Sequence, residues 1–265
     1  MSSEQSPSSK HADVDGQRIN VASQAEALDA IVSAAAQGQA FNVFTLNLDH
    51  LVKLRQDPAF RAAYSKATLV TADGAPVAML ARRQWPEVER TTGADLFIPL
   101  CEAAAKSNLP VFLFGTEDAV LDTVAQRLAH DTAGQISIAG TEAPPRDFRP
   151  DSAEADAALD RIRDSGARIC FVMLGAPKQE LFAARALERG IPCGFVCVGA
   201  AADFLTGHQI RAPQLFQKLG IEWLWRLGSH PRRLGMRYAR CAVLFAQLLA
   251  ADAKNTFQGQ PGSGR

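Results

Sequence analysis

No stretch of this chain reaches the roughly 18 consecutive apolar residues that a membrane-spanning helix needs, and the C-terminal apolar segment from Cys241 to Ala250 falls well short. Residues 1–11 are polar, rich in serine and without an apolar core. They are expected to form a disordered tail and not a secretory signal. The five cysteines (Cys101, Cys170, Cys193, Cys197 and Cys241) are odd in number and include no C-x-x-C pair. Three of them fall in apolar, strand-like runs, so free core thiols in a reducing cytosol are expected. Charge of neither sign is in excess, with 28 Lys and Arg against 28 Asp and Glu. That balance argues against nucleic-acid binding, which usually wants a basic domain. The chain has no P-loop and no G-x-G-x-x-G fingerprint, so a nucleotide triphosphatase or a dehydrogenase fits poorly. Its one D-x-D, Asp13-Val14-Asp15, lies in an N-terminal hairpin pattern and reads as turn chemistry. No internal repeat is present.

What the chain does have is apolar content and rhythm. At 265 residues and 47% hydrophobic it can bury one large core. Asp15-Gly16 predicts a hairpin turn, and Ser23 predicts the cap of a helix over 24–37. A buried strand is expected at 41–46 and a short one at 68–71, with helices at 49–56, 58–66, 76–84 and 94–107. The second half then alternates strongly: strands at 111–114, 136–139, 167–174 and 194–198, and helices at 117–130, 153–165 and 177–189. Thr141 to Ser152 reads as loop. Near-continuous apolar strands between helices predict a Rossmann-like α/β fold with a parallel sheet covered on both faces. The core is expected over 12–210, a basic C-terminal helical appendage over 211–252, and a disordered tail over 253–265.

Ligands of such sheets bind beyond the carboxyl ends of the strands. Three strands stop there at glycine (Gly115, Gly175 and Gly199), where a backbone N–H can approach a phosphate, although glycine also ends strands for no further reason. Thr45-Leu46-Asn47-Leu48-Asp49-His50 puts a hydroxyl, an amide and a carboxylate at one strand end. Asn47 or Asp49 there can equally cap the next helix, and His50 reads as structural. Asp73-Gly74 sets a carboxylate where a catalytic base would sit, though Asp-Gly is also ordinary turn chemistry. Gly175-Ala176-Pro177-Lys178-Gln179-Glu180 joins a strand end to a helix start. Further on come Asp203, Gly207 and Arg211-Ala212-Pro213. Between Arg211 and Arg240 there are seven Lys or Arg residues and a single acid, Glu222, beside Trp223 and Trp225. A neutral chain with its positive charge gathered at one end suits a diphosphate or an anionic surface.

In this order, Thr45-x-Asn47-x-Asp49-His50, Ala72-Asp73-Gly74, Gly93-x-Asp95, Gly175-x-Pro177-Lys178-Gln179-Glu180, Asp203-Phe204-x-x-Gly207, Arg211-Ala212-Pro213 and Glu222-Trp223-Leu224-x-Arg226 resemble the TagA/WecG/CpsF family of bacterial glycosyltransferases (glycosyltransferase family 26). The resemblance spans roughly Val14 to Leu249. It implies transfer of a sugar, with inversion, from a UDP-sugar to a polyprenyl-diphosphate-linked saccharide during cell-surface polysaccharide assembly. It puts the catalytic base on Asp73, pocket residues on Thr45 and Asn47, and a pocket glutamine on Gln179. It puts the diphosphate arginines on Arg226 and Arg233, with Arg232 and Arg237 as alternatives. Gly115, Gly175, Lys178, Gly199, Asp203 and Arg211 complete the expected binding set. No metal and no other cofactor is expected, with arginine taking the place of a divalent ion.

The C-terminal stripe Leu234, Tyr238, Cys241, Leu244, Phe245 and Leu248 recurs at helical spacing beside Arg232, Arg233, Arg237 and Arg240. It resembles a helix lying on a membrane surface, and it equally fits a helix packed on its own domain or on a second copy. The expected location is cytoplasmic, peripheral on the inner membrane, with a homo-oligomer compatible. The rival reading is a non-catalytic nucleotide-sugar binding module, which could dispense with Asp73. The donor sugar and the polymer are not written in these motifs.

Overall fold

The computed structural model describes residues 10–207 and 231–258, together with Ala212, Pro213, Phe216, Glu222, Trp225 and Gly228. Of the expected diphosphate arginines, Arg211 and Arg226 lie outside the described residues, as does the side chain of Arg233.

The chain opens with an antiparallel hairpin, β1 (Ala12–Val14) and β2 (Gln17–Ile19). Asp15 and Gly16 both have positive φ, 54° and 74°, as a two-residue turn that follows strand twist requires. The Asp13 carboxylate accepts from Gly16 N–H at 2.8 Å. That of Asp15 takes two bonds from the Arg55 guanidinium, both 2.8 Å. Both acids of the D-x-D are thus committed to the turn and to an arginine.

The core follows in chain order as α1 (Gln24–Ala36), β3 (Phe41–Leu46), α2 (Leu48–Leu54), α3 (Pro58–Ser65), β4 (Leu69–Ala72), α4 (Ala75–Arg82), α5 (Gly93–Lys106), β5 (Val111–Gly115), α6 (Asp118–Asp131), β6 (Ile138–Glu142), α7 (Ala153–Asp164), β7 (Ile169–Met173), α8 (Lys178–Glu188), β8 (Gly194–Cys197) and α9 (Ala201–Leu205). A long helix, α10 (Pro231–Gln258), closes the described chain and runs past the boundary expected at 252. Strands β3 to β8 form one parallel sheet in the order β4-β3-β8-β7-β5-β6. This is the Rossmann-like arrangement that the alternation predicts.

Alternation along the strands divides the core in two. Phe44, Leu46, Phe114, Val172 and Phe195 face one side, against α2, α3, α7 and α8. Phe41, Val43, Leu113, Phe171 and Val196 face the other, against α1, α5 and α6. All five cysteines are buried and free. Two local readings need correction. β6 runs over 138–142 and not 136–139, so the loop starts later than Thr141. It is an edge strand of intermediate burial, and its pairing with β5 slips between Val111 and Phe112, which blurs its apolar pattern. The short α9 carries no helical periodicity long enough to be read.

α8 is anchored by aromatic packing. Phe182 stacks on Phe114 at 4.6 Å between ring centroids and meets Phe148 and Phe195 edge-on. Such pairs add about 0.5–1.5 kcal/mol beyond the area they bury. Because Phe182 lies within a turn of Gln179, this cluster sets where the start of α8 sits. Phe182→Ala is expected to cost about 3–5 kcal/mol in denaturant unfolding, as deletion of a fully buried ring does.

Candidate active site

A cleft of about 700 Å³ opens beyond the carboxyl ends of β3, β4, β7 and β8 and is roofed by α10. In this sheet the chain leaves β3 toward β4 on one side and leaves β5 toward β6 on the other. A crevice at such a reversal is where open α/β sheets take ligands.

Each wall is built by a strand running straight into a helix. After β3, Asn47 caps α2, its side-chain oxygen accepting from His50 N–H at 3.0 Å. Its amide nitrogen donates to the Asp73 carboxylate at 3.3 Å. The cap and the polar-site reading of Asn47 therefore hold together. Asp73 follows β4 directly, its own N–H bonded to Leu46 carbonyl at 2.8 Å. Gly74, at φ 85°, then turns the chain into α4, a conformation that a side chain would strain. Thr45, buried at 5% exposure, pairs in register with Thr71 and faces the cleft. Gly93 lets α5 approach β8, since a β-carbon there would sit 2.8 Å from Val198 Cα.

At the start of α8, Gln179 is buried at 4% exposure and Glu180 at 0%. Gln179 accepts from Gly199 N–H at 3.0 Å and donates to Glu180 at 2.8 Å. Behind them, His50 meets the Tyr64 hydroxyl at 2.7 Å and lies 3.7 Å from Glu180. Burial, and then Lys53, push His50 down to about 3, so its ring is neutral. Burial pushes Glu180 up to about 7. His50 is buried and neutral at the edge of the cleft.

Of the expected residues, the structure brings Thr45, Asn47, Asp73, Gly175, Gln179, Gly199, Asp203 and Arg237 to the cleft lining. It does not bring Gly115, Lys178 or Arg232. Gly115 packs on β7, where a β-carbon would meet Met173 O at 2.5 Å. Lys178 turns outward to donate to Arg146 O at 3.2 Å. Arg232 is exposed. Gly199 lines the cleft, but its N–H is taken by Gln179 and is not open to a phosphate. Asp203 accepts from Thr116 Oγ1 at 3.2 Å.

Sequence reasoning missed two cations. Arg90 enters the cleft beside β4 through an isolated bridge with Ala72, and faces Asp95 at 3.6 Å and Glu222 at 3.4 Å. No motif surrounds it. Lys53 bonds Asp49 at 2.8 Å and Ala176 O at 2.9 Å. Its signal was present in the i, i+4 spacing from Asp49.

The family model for the WecG/TagA/CpsF glycosyl transferases matches residues 12–258. The chain belongs to this family. It is a glycosyltransferase, and motif residues including Asn47, Asp73, Gly93, Gln179 and Asp203 line the cleft.

Asp49 also receives Arg237 of α10, at 2.9 Å. Two further contacts pin the same helix: Arg55 to Gln247 at 3.0 Å, and Arg83 to Asp252. The Arg237 side chain is 45% exposed, so its link is worth little more than a surface pair. Asp49→Ala is expected to loosen α10 by about 1 kcal/mol, read as faster amide exchange across 234–250 with the sheet unchanged.

Proposed function

We propose that this glycosyltransferase moves a sugar, with inversion, from a UDP-sugar to a polyprenyl-diphosphate-linked saccharide in the assembly of a cell-surface polysaccharide. The observation that carries the reading is Asp73: a carboxylate at a strand end, held by Asn47, on the floor of a cleft that also holds Lys53, Arg90 and Arg237.

In this mechanism Asp73 takes the proton of the acceptor hydroxyl as its oxygen bonds to the anomeric carbon. The bond from that carbon to the diphosphate breaks on the opposite face, and UDP leaves with the electron pair. Cations across the cleft stabilise the growing negative charge. Lys53, Arg90 and Arg237 are the described candidates, joined by Arg226 and Arg233 from the family motifs. Thr45 and Gln179 orient the sugar. Cations fill the role of a divalent metal, and full turnover in excess chelator is the expected result. An absolute requirement for Mn²⁺ or Mg²⁺ would overturn that part.

Asp73→Asn keeps the shape and the bond to Asn47 while removing the base. Turnover is expected to fall by about 100-fold or more, with UDP-sugar affinity little changed. Near wild-type turnover would remove Asp73 from the chemistry.

The acceptor is a lipid, and we place the enzyme on the cytoplasmic face of the inner membrane. No helix among the described residues is long and apolar enough to cross a membrane. Of the covers open to the C-terminal stripe, it has its own domain: Leu234, Cys241 and Leu244 are buried, and Phe245 and Leu248 pack on the core. The opposite face carries Arg232, Met236, Arg240 and Val243 at i, i+4, i+8 and i+11, with Met236 68% and Val243 60% exposed. Two apolar side chains alternating with two arginines suit a shallow contact with anionic headgroups. In flotation with anionic vesicles, Met236→Glu with Val243→Glu should shift the enzyme to the lipid-free fraction. Equal flotation would remove this face from membrane binding.

A further inference from the structure

A chain of buried polar groups runs from behind the cleft to its wall. It starts at the Tyr64 hydroxyl, 2.7 Å from His50 Nδ1. His50 Nε2 then faces Glu180 Oε1 at 3.7 Å. The same Glu180 oxygen accepts from Gln179 Nε2 at 2.8 Å. Gln179 Oε1 finally accepts from Gly199 N–H at 3.0 Å.

The direction of the bonds at the Gln179 end of this chain is determined. Gly199 N–H can only donate, so the Gln179 oxygen must face it. The Gln179 nitrogen is left to face Glu180. A neutral His50 that accepts the Tyr64 proton at Nδ1 carries its own proton on Nε2, toward Glu180. Glu180 is therefore the acceptor for the Gln179 amide, with the His50 ring facing the same oxygen at 3.7 Å. Its other oxygen, Oε2, is fully buried and has no hydrogen-bond partner. A buried carboxylate oxygen without a partner is costly, and it is kept one residue from a glutamine that lines the cleft.

A primary amide has two N–H groups. One of those on Gln179 is bound to Glu180, and its carbonyl is bound to Gly199. The second N–H is what the residue has left to offer a ligand. We propose that Glu180 is a positioning residue for this site: it holds the Gln179 carboxamide so that an N–H, and not the carbonyl, meets the substrate, and it thereby selects a hydrogen-bond acceptor oxygen on the bound donor. The inference rests on the sugar-transfer reading for the identity of that donor. It also gives Gln179 a second task, because the fixed carbonyl ties the start of α8 to the loop after β8.

The arrangement depends on the charge of Glu180. When the carboxylate is ionised, it accepts from Gln179 with its full charge. When it is protonated, the charge that strengthens this bond is gone, and the amide is held less firmly. Burial raises Glu180 to about 7, with Gln179, its own backbone bond and Lys53 opposing and Asp49 reinforcing. Tyr64 of α3, Cys197 of β8 and His50 of α2 also face it. Tyr64 and Cys197 are raised by burial and His50 is lowered to about 3, so none of the three titrates near neutrality. Arg237 acts on His50 from α10. The sign follows: the site is ordered above about 7 and loses order as the pH falls through that value.

The test has a substrate-free arm and a kinetic arm. In the first, the Gln179 side-chain amide of the wild-type protein is followed by nitrogen-15 NMR from pH 5 to pH 9. It should titrate with a midpoint near that of Glu180 and lose the transition in Glu180→Gln. A flat amide signal would overturn the inference even if the variant failed to fold, since it is read on the wild type. In the second arm, Glu180→Gln should lower kcat/KM for a UDP-sugar by up to about 100-fold, the scale of a small misplacement. It should also abolish the acid limb near neutrality. Unchanged kinetics with an unchanged acid limb would overturn the positioning role. Affinity for UDP alone separates the two acceptor sources. If Glu180→Gln weakens UDP-sugar and spares UDP, the oxygen is on the sugar; if it weakens both equally, the oxygen is on the diphosphate. Should the wild-type amide titrate while no UDP-sugar is turned over, the coupling stands and the sugar-transfer reading fails.

Discussion

In a parallel sheet each strand hands the chain to a helix at its carboxyl end, so the helix N-termini gather along one edge with their unpaired N–H groups and positive dipole ends. In this protein the edge is crowded. α2, α4, α8 and α9 all begin there, and each begins with a residue that lines the cleft or adjoins one that does. Apolar packing on both faces of the sheet holds the edge in place. The stacked Phe114 and Phe182 locate α8, and the close approach at Gly93 locates α5. The polar site is an outcome of that packing, since no side chain within it could hold the strand ends together against their own desolvation.

Within the cleft, acids and bases are cross-committed. Asp49 serves Lys53 and Arg237, and Arg90 serves Asp95 and Glu222. These partners come from different parts of the chain: α2, the segment before α5, position 222 and α10. A diphosphate entering the cleft would compete with Asp49 and Glu222 for the same cations. With the diphosphate donor proposed above, its binding and the docking of the C-terminal part would be coupled through shared arginines. The coupling is modest per pair, because the pairs are part exposed.

Much of this was legible in the sequence, for identifiable reasons. Strands with continuous apolar residues and helices with capping residues at Ser23 and Asn47 announce themselves locally. The motif acids and amides, Asn47, Asp73 and Gln179, sit at strand ends that the pattern marks. Arg90 was not legible, because its place follows from a bridge to Ala72 and from a partner at position 222, both distant in sequence. The edge strand β6 was misplaced because half-burial weakens its pattern. Lys178 and Gly115 were drawn in by their neighbours. One is turned outward by the helix, whose successive residues point about 100° apart, and the other is filled by its own partner strand.

The C-terminal helix shows where periodicity stops being informative. Its spacing announces an apolar stripe, but a stripe says only that something covers it. Here the cover is the α2 side of the core, assisted by Arg55 and Arg83. What is left outside is a sparse face, two apolar residues alternating with two arginines. A helix that spends its strong face on its own domain keeps a weak one for the bilayer, so any membrane contact made through it should be reversible and dependent on anionic lipid. Because the same helix carries Arg237 into the cleft, a contact on its outer face and a charge on its inner face bear on one rigid element. With the membrane-held acceptor proposed above, that would give the enzyme a physical route by which the bilayer could steady the wall of the cleft.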